Sequence, residues 1–194
     1  MVMKGGLDVK RILVLGISAG VGKTTFATQL GRILNKKVYH LDALFWKPGW
    51  VEASLEEFSN AQKQIIENTE EWIIEGNYST TYDLRMKAAD TLIYLECPLY
   101  VCLYRVIKRY LSNIGKTRPD MGEGCTEKLD WEFIKFIITT YKPRKKKMEK
   151  RLSTFKSIRP QNQVITLKNR KAIRSFLKSL EATHLPKVEG ESIK

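Results

Sequence analysis

The chain has 194 residues, 43% of them hydrophobic and 28% charged, a composition that suits one globular domain with a full core and excludes a disordered or fibrous polypeptide. The net charge of +13 favours anionic partners, whether nucleotides, nucleic acid or an acidic membrane surface. No apolar run approaches the ~20 residues that cross a bilayer. The apolar segment behind Lys4, Lys10 and Arg11 is too short for a signal core. Three cysteines without metal-ligand spacing predict reduced thiols in the cytoplasm.

In chain order, Met1 to Lys10 reads as a loose leader. The stretch from Arg11 to Leu30, RILVLGISAGVGKTTFATQL, begins with the apolar run Ile12 to Leu15 and ends where Phe26, Ala27 and Leu30 recur at helical spacing. The glycine-rich turn between them, in a strand–turn–helix context, predicts a phosphate-binding loop. Its expected nucleotide-binding residues are Gly20, Val21, Gly22, Lys23, Thr24 and Thr25. Glycines let successive backbone N–H groups converge on an anion, and the following helix adds its positive end. Lys23 is expected to reach the β- and γ-phosphates of ATP, and the Thr24 hydroxyl to hold Mg2+. One position departs from the usual pattern. Ile17 stands where the first loop glycine is expected and Gly16 lies one place earlier, which predicts a loop shifted by one residue.

Lys37 to Leu41 reads as a second strand that delivers Asp42 at its carboxyl end, where open parallel sheets gather ligands. Ala43 to Trp50 predicts a rigid aromatic loop rather than a helix or strand. Ser54 and Glu57 form a capping box for a helix to about Thr69, with Phe58, Ala61, Ile65 and Ile66 on its buried face. Trp72 to Glu75 is a third strand, a short helical stretch carries Arg85 and Lys87, and Thr91 to Glu96 is a fourth strand. Pro98 opens a helix from Leu99 to Leu111 in which Leu99, Leu103, Val106, Ile107 and Tyr110 face inward, leaving Arg105, Lys108 and Arg109 free. Gly115 to Gly124 breaks the periodicity, and the segment of about residues 112–128 is expected to form a lid. Glu127 to Tyr141 reads as a helix with Trp131, Ile134, Ile138 and Tyr141 on one stripe, interrupted or kinked at Pro143. Gln163 to Leu167 is a fifth strand, Arg170 to Leu180 a last helix, and the tail from Pro186 is expected to be disordered. The alternation predicts one α/β domain over residues 1–185, with a parallel sheet covered on both faces.

Phosphoryl transfer asks a protein for positioning and charge compensation. Glu75, ending the third strand, is the candidate acid for an outer-sphere role on magnesium beside Thr24. Asp42 is placed to orient an acceptor hydroxyl or to hold magnesium through water; Glu96 is read as structural. The candidate cations are Arg85, Arg105, Arg109 and Arg118, with Arg118 in the lid, where a planar fork can bridge phosphate oxygens. Phe45, Trp46, Trp50 and Tyr78 either wall an acceptor site or pack a loop. Lys142 to Arg151 holds seven basic residues in ten, read either as a contact to nucleic-acid phosphates or as a solvated helix face.

Several longer stretches are more specific: HLDALFWKPGW (His40 to Trp50), WIIEGNYS (Trp72 to Ser79), DLR (Asp83 to Arg85), and GKTRPDMGEGC (Gly115 to Cys125) leading into LDWEF (Leu129 to Phe133). With them the chain, from about Lys10 to Leu180, resembles the adenylate-kinase-like proteins known as DNA topology modulation, or FlaR-related, proteins. The resemblance implies a P-loop NTPase with a nucleoside-monophosphate-kinase-like three-layer sandwich, a five-stranded parallel sheet of order 2-3-1-4-5, a lid, and ATP as ligand. It also leads one to expect a basic residue where Thr80 stands. The resulting expectation is a Mg-ATP kinase that transfers the γ-phosphoryl group to a small acceptor, with a nucleoside monophosphate among the candidates. Lys23, Glu75, Arg118, Asp42, Arg85 and Arg109 are its catalytic group. The alternative is a nucleotide-dependent DNA-binding protein that affects DNA topology.

Overall fold

Ile12 to Gly16 are buried without exception, the pattern of a strand covered on both faces, and the sheet is built around them. The computed structural model describes residues 9–184, so the tail from Pro186 and all but the last two residues of the expected leader lie outside the described residues. The chain runs β1 (Arg11–Gly16), α1 (Lys23–Leu34), β2 (Val38–His40), α2 (Leu41–Phe45), β3 (Trp46–Lys47), β4 (Val51–Glu52), α3 (Leu55–Asn68), β5 (Trp72–Glu75), α4 (Tyr82–Ala88), β6 (Thr91–Leu95), α5 (Leu99–Ser112), α6 (Trp131–Ile158), β7 (Gln163–Leu167) and α7 (Arg170–His184), with a 3-10 turn at Ser79–Thr81.

The main sheet has the order β2-β5-β1-β6-β7 with every pairing parallel, which is the 2-3-1-4-5 order for the five predicted strands. Its register puts Val14 level with Glu75, and Glu75 level with His40. Strands β2 and β5 therefore end together, two residues short of β1, whose last residue Gly16 is level with Leu95 of β6, and Leu95 with Leu167 of β7. On one face α1 and α7 pack together, with the Phe26 and Phe176 rings 6.2 Å apart. The Ser54 capping box forms in both directions: Glu57 N–H donates to Ser54 Oγ at 3.1 Å and the Ser54 N–H to Glu57 Oε2 at 2.8 Å. Behind it Phe58 is buried together with Gln62, which takes the place expected for Ala61 by donating to the Phe58 carbonyl at 2.8 Å.

Three expectations are corrected. Ala43 to Trp50 is not a loop throughout. The chain turns helical over Leu41–Phe45 and then forms a hairpin in which Trp46 pairs with Glu52, turned by Gly49 and Trp50 at φ of 76° and 64°. Helix α5 is rotated from its predicted orientation. Cys102 and Val106 are its buried residues, Ile107 is 44% exposed, and Arg105 turns toward the loop after β1. The reason is a close approach: a Cβ on Gly20 would lie 2.2 Å from the Cys102 carbonyl oxygen, so the glycine admits that turn of α5 against the loop.

Helix α6 starts at Trp131 rather than Glu127, capped by Asp130 Oδ1 accepting from Phe133 N–H at 2.8 Å, and it continues through Pro143 to Ile158. Its buried face is Ile137, Met148 and Phe155, while Trp131 and Ile138 are exposed. Proline costs a helix interior about 3 kcal/mol, and here tertiary contacts hold both flanks. Tyr141 OH donates to the Cys97 carbonyl at 2.7 Å, and Lys145 pairs with Glu96 at 2.5 Å.

Candidate functional site

The loop leaves β1 at Gly16, where a Cβ would come within 2.5 Å of Val21 Cγ1 and 2.8 Å of Lys23 Cγ. Asn77 clamps this point: Gly16 N–H donates to Asn77 Oδ1 at 3.0 Å, and Asn77 Nδ2 donates to the Gly16 carbonyl at 2.8 Å. Ile17 is fully buried, and its N–H bonds the Leu95 carbonyl at 3.0 Å. The shift expected from sequence is thus present, with Gly16 providing the close approach and Ile17 serving as core. Gly20 and Gly22 adopt φ of 75° and 99°, a left-handed backbone that an ordinary side chain resists. Gly22 caps α1 without any side-chain hydrogen bond, which leaves the first N–H groups of the helix open to an anion.

Lys23 Nζ lies 3.9 Å from Glu75 Oε1. Thr24 Oγ1 sits between two carboxylates, 3.3 Å from Glu75 Oε2 and 3.2 Å from Asp120 Oδ2. His40 Nδ1 is 3.1 Å from the same Glu75 oxygen. Burial works to lower the His40 pKa, but the hydrogen bond and charge of Glu75, with Asp120 and Asp42 behind, outweigh it and raise the value above 6.5. Asp42 accepts from Tyr78 OH at 2.7 Å. Burial, with the nearby Glu75 charge, pushes the Asp42 carboxyl above its ordinary 3.8. The Tyr78 ring packs 4.8 Å from both Phe45 and Phe58, so these aromatics fasten the wall that holds Asp42. Trp46 and Trp50 form an edge-to-face pair on the cavity lining.

The predicted cations take three different situations. Arg85 is fully buried and donates to the carbonyls of Gly76 at 2.9 Å and Tyr78 at 2.6 Å, so it fastens the turn beneath the cavity rather than lining it. Burial drives its pKa down to about 10. Arg105, expected to be free, donates to the Val21 carbonyl at 2.9 Å. Arg109, also expected free, and Arg118 share Glu127, at 2.9 Å and 2.6 Å, and Arg118 also pairs with Asp120 at 2.7 Å. Burial and the like charge of Arg118 lower the Arg109 pKa.

The segment between α5 and α6, residues 113–130, which contains most of the expected lid, is fastened to the hairpin: Trp50 Nε1 donates to the Thr126 carbonyl at 3.0 Å, and the Cys125 thiol to the Lys47 carbonyl at 3.2 Å. Asp120, Glu127, Asn77 and His40 were not among the expected site residues. Asp120 had one local signal, its place two residues after Arg118; the other three depend on contacts across the fold. The basic block of Lys142 to Arg151 divides. Arg144, Lys147 and Arg151 line the cavity, while Lys142, Lys146 and Lys150 face solvent.

Lys23, Thr24, Asp42, Glu75, Arg118 and Asp120 all line one cavity of about 1760 Å³. Ordinary single-ligand pockets occupy roughly 300–1,000 Å³, so this one has room for a nucleotide and a second small molecule. A hydroxyl between two carboxylates is the hard-oxygen donor set that suits Mg2+. Among the described residues no three His, Cys, Asp or Glu side chains converge as a metal cage. No helix of the described residues is long and apolar enough to cross a membrane, and all three cysteines are free thiols.

Neither a protein-family model nor a curated protein sequence matches the chain. Among solved structures it is similar to a shikimate kinase from Bacteroides thetaiotaomicron, at 21% identity over 90% of this chain and 98% of that one, with a TM-score of 0.50. It is also similar to a shikimate kinase from Acinetobacter baumannii in complex with shikimate, at 13% identity over 92% and 97% of the two chains and a TM-score of 0.48. A gluconokinase from Sinorhizobium meliloti aligns at 15% identity over 90% and 93%, with a TM-score of 0.48. At these identities the likeness is one of architecture. The chain has a P-loop kinase-like α/β fold with a five-stranded parallel sheet.

Proposed function

We propose that the protein is a Mg-ATP-dependent kinase of a small, hydroxyl-bearing acceptor. The observation that carries this reading is the meeting of Lys23, Thr24, Glu75 and Asp42 in one cavity, beneath the lid residues Arg118 and Asp120. The backbone N–H groups of Gly20 to Thr25 cradle the polyphosphate, and Lys23 neutralises charge on the transferring phosphoryl group. Thr24, supported by Glu75 and Asp120, would hold magnesium, which would supply neutralisation of the polyphosphate's charge.

Asp42 uses Oδ1 to accept from Tyr78. Its Oδ2 is left to orient the acceptor hydroxyl. As that hydroxyl oxygen bonds to the γ-phosphorus, its proton passes to Asp42, and the bond from phosphorus to the β–γ bridging oxygen breaks, leaving ADP. Arg118 and Arg109 would exchange part of their pairing with Asp120 and Glu127 for phosphate oxygens, a trade of one anion for another at little electrostatic cost.

Three of the stretches that resemble DNA topology modulation proteins meet at this cavity, while Arg85 of a fourth lies beneath it. His40 to Trp50 contributes Asp42, Trp46 and Trp50; Trp72 to Ser79 contributes Glu75 and Tyr78; Gly115 to Cys125 contributes Arg118 and Asp120. Their convergence supports placing the chain with that kinase-like group. The test is a screen of ATP consumption across nucleoside monophosphates, nucleosides and small hydroxy compounds, with Lys23→Ala as the blank. Acceptor-dependent turnover that disappears in Lys23→Ala is expected. Equal turnover by both proteins would overturn the reading.

A further inference from the structure

The basic face of α6 has a feature that the phosphate loop lacks: its charges are uncompensated. Arg144 and Arg151 are two helical turns apart on the same face, with Lys147 between them. The Arg144 guanidinium lies 4.4 Å from the centre of the Phe136 ring, and that of Arg151 lies 4.0 Å from the centre of Tyr82. These stacks hold both planar groups in place, and both residues line the cavity that contains Asp42 and Tyr78. Among the described residues neither has a carboxylate partner, although Lys145, on the same helix, pairs with Glu96.

A third guanidinium lies close behind. Arg85, on the same helix as Tyr82, hydrogen-bonds only to backbone carbonyls; it feels the like charge of Arg151 and, against it, the charge of Glu75, with which it forms no ion pair. Like charges gathered on a partly dehydrated wall without a counter-anion repel one another and cost stability. Arg144 bears that cost: burial, with the like charge of Arg151 added, lowers its pKa. An arrangement of this kind is relieved by an anion that arrives with the ligand, and planar guanidinium groups match the paired oxygens of a carboxylate or phosphate.

We infer that the Arg144–Arg151 face of α6 is an anion-binding wall of the acceptor subsite, so that the acceptor carries a carboxylate or phosphate monoester in addition to the hydroxyl it presents to Asp42. This rests on the kinase reading for the role of the hydroxyl, but the wall itself is defined by charge and shape. The choice of a small anion over nucleic acid follows from position. The residues that face outward, Lys142, Lys146 and Lys150, are not the two cavity-lining arginines that are held on aromatic rings. A polymer backbone would meet the outward lysines first.

The experiment uses the full chain with 15N-labelled arginine and follows the Nε–H signals of Arg144 and Arg151, assigned through Arg144→Gln and Arg151→Gln. Glycerol 3-phosphate and glycerate are the anionic probes, and glycerol is the neutral control. Both signals are expected to shift with an anion and to stay still with glycerol; the tighter of the two probes decides between phosphate and carboxylate. Either Gln variant is expected to weaken that binding by about tenfold or more, the usual loss for one charge-assisted pair. Lys146→Gln and Lys150→Gln leave it unchanged. Circular dichroism of each variant checks its fold, and Arg151→Lys, which keeps the charge, is expected to bind with an intermediate loss.

Signals that do not move with millimolar amounts of either anion would overturn the wall while leaving ATP turnover, and hence the kinase reading, intact. Failure of every acceptor to support turnover, with the shifts present, would sink the kinase reading alone. Binding of a duplex oligonucleotide that is steeply salt-dependent and is lost in the Lys146→Gln and Lys150→Gln variants, with no response to the small anions, would replace the small anion by nucleic acid.

Discussion

The two charged regions of the cavity are built on opposite principles. At the glycine-rich turn after β1 and the segment of residues 113–130, the cations are largely matched: Lys23 approaches Glu75, Arg109 shares Glu127 with Arg118, and Arg118 also holds Asp120. On α6 the guanidinium groups of Arg144 and Arg151 rest on aromatic rings with no carboxylate between them. A matched network costs little to keep and can exchange one anion for another. An unmatched one stores repulsion until an anion arrives. On the proposed reading, the difference separates a place where phosphate passes through from a place where an anion is recognised.

The largest effects are expected at the matched end. Lys23→Ala should lower ATP turnover by about 10²–10³-fold, the scale of removing one charge stabiliser from a transferring group, with its melting curve little changed. A turnover loss accompanied by unfolding would make Lys23 structural instead. Asp42→Asn should lower kcat by roughly 10²-fold or more. It should also separate function from stability. The Asp42 carboxyl has a raised pKa, so the folded chain holds a proton there that the unfolded chain gives up. Its ionised form therefore costs stability above that raised value, and protonation relieves the cost as the pH falls. Asp42→Asn should raise Tm at pH 7 while activity collapses, and the gain should shrink toward pH 4. In the wild type, kcat/KM should fall as acid protonates Asp42, and the Asn variant should lose that acidic limb.

Glu127→Ala removes the anion shared by two arginines, with the Glu127 side chain itself 3% exposed. Because Arg109 stays partly in solvent, the expected loss is about 2 kcal/mol rather than the larger cost of a fully buried pair, read from urea denaturation. No loss would mean that the Glu127 network is not coupled to the fold. The smallest effect belongs to His40. Its folded pKa is raised above 6.5, so its contribution is fully present below 6.5 and is lost as pH rises through the folded value. His40→Ala should thus cost more Tm at pH 6 than at pH 9. An equal cost at both would remove Glu75 as its charged partner.

What the sequence made legible was local. The Ser54–Glu57 box, the apolar run of β1 and the Gly20–Lys23 turn are each written within a few consecutive residues, and each forms as read. Ile17 looked like a departure from the loop pattern; the Asn77 clamp on Gly16 shows how the shift is accommodated. What stayed hidden depends on distance. Pro143 would end an isolated helix, and α6 passes through it with Tyr141 and Lys145 anchored to Cys97 and Glu96, just past the end of β6. Arg105 and Arg109 were read as unpaired candidate cations because helical periodicity alone does not reveal that Gly20 admits α5 against the loop, where Arg105 bonds the Val21 carbonyl, or that Glu127 pairs with Arg109. Glu127 was read as the start of a helix, whereas the side chains that need its charge come from elsewhere in the fold. The basic block carried its meaning in which of its members stack on Phe136 and Tyr82, a property of register and not of composition.

The most direct test of the central reading is 31P NMR of acceptor mixtures incubated with ATP, magnesium and either wild-type protein or Lys23→Ala. The reading predicts a new phosphate-ester resonance, matched by ADP, that appears with wild type alone and requires an acceptor hydroxyl. ADP and free phosphate formed at the same rate with and without acceptors, and equally in Lys23→Ala, would contradict it.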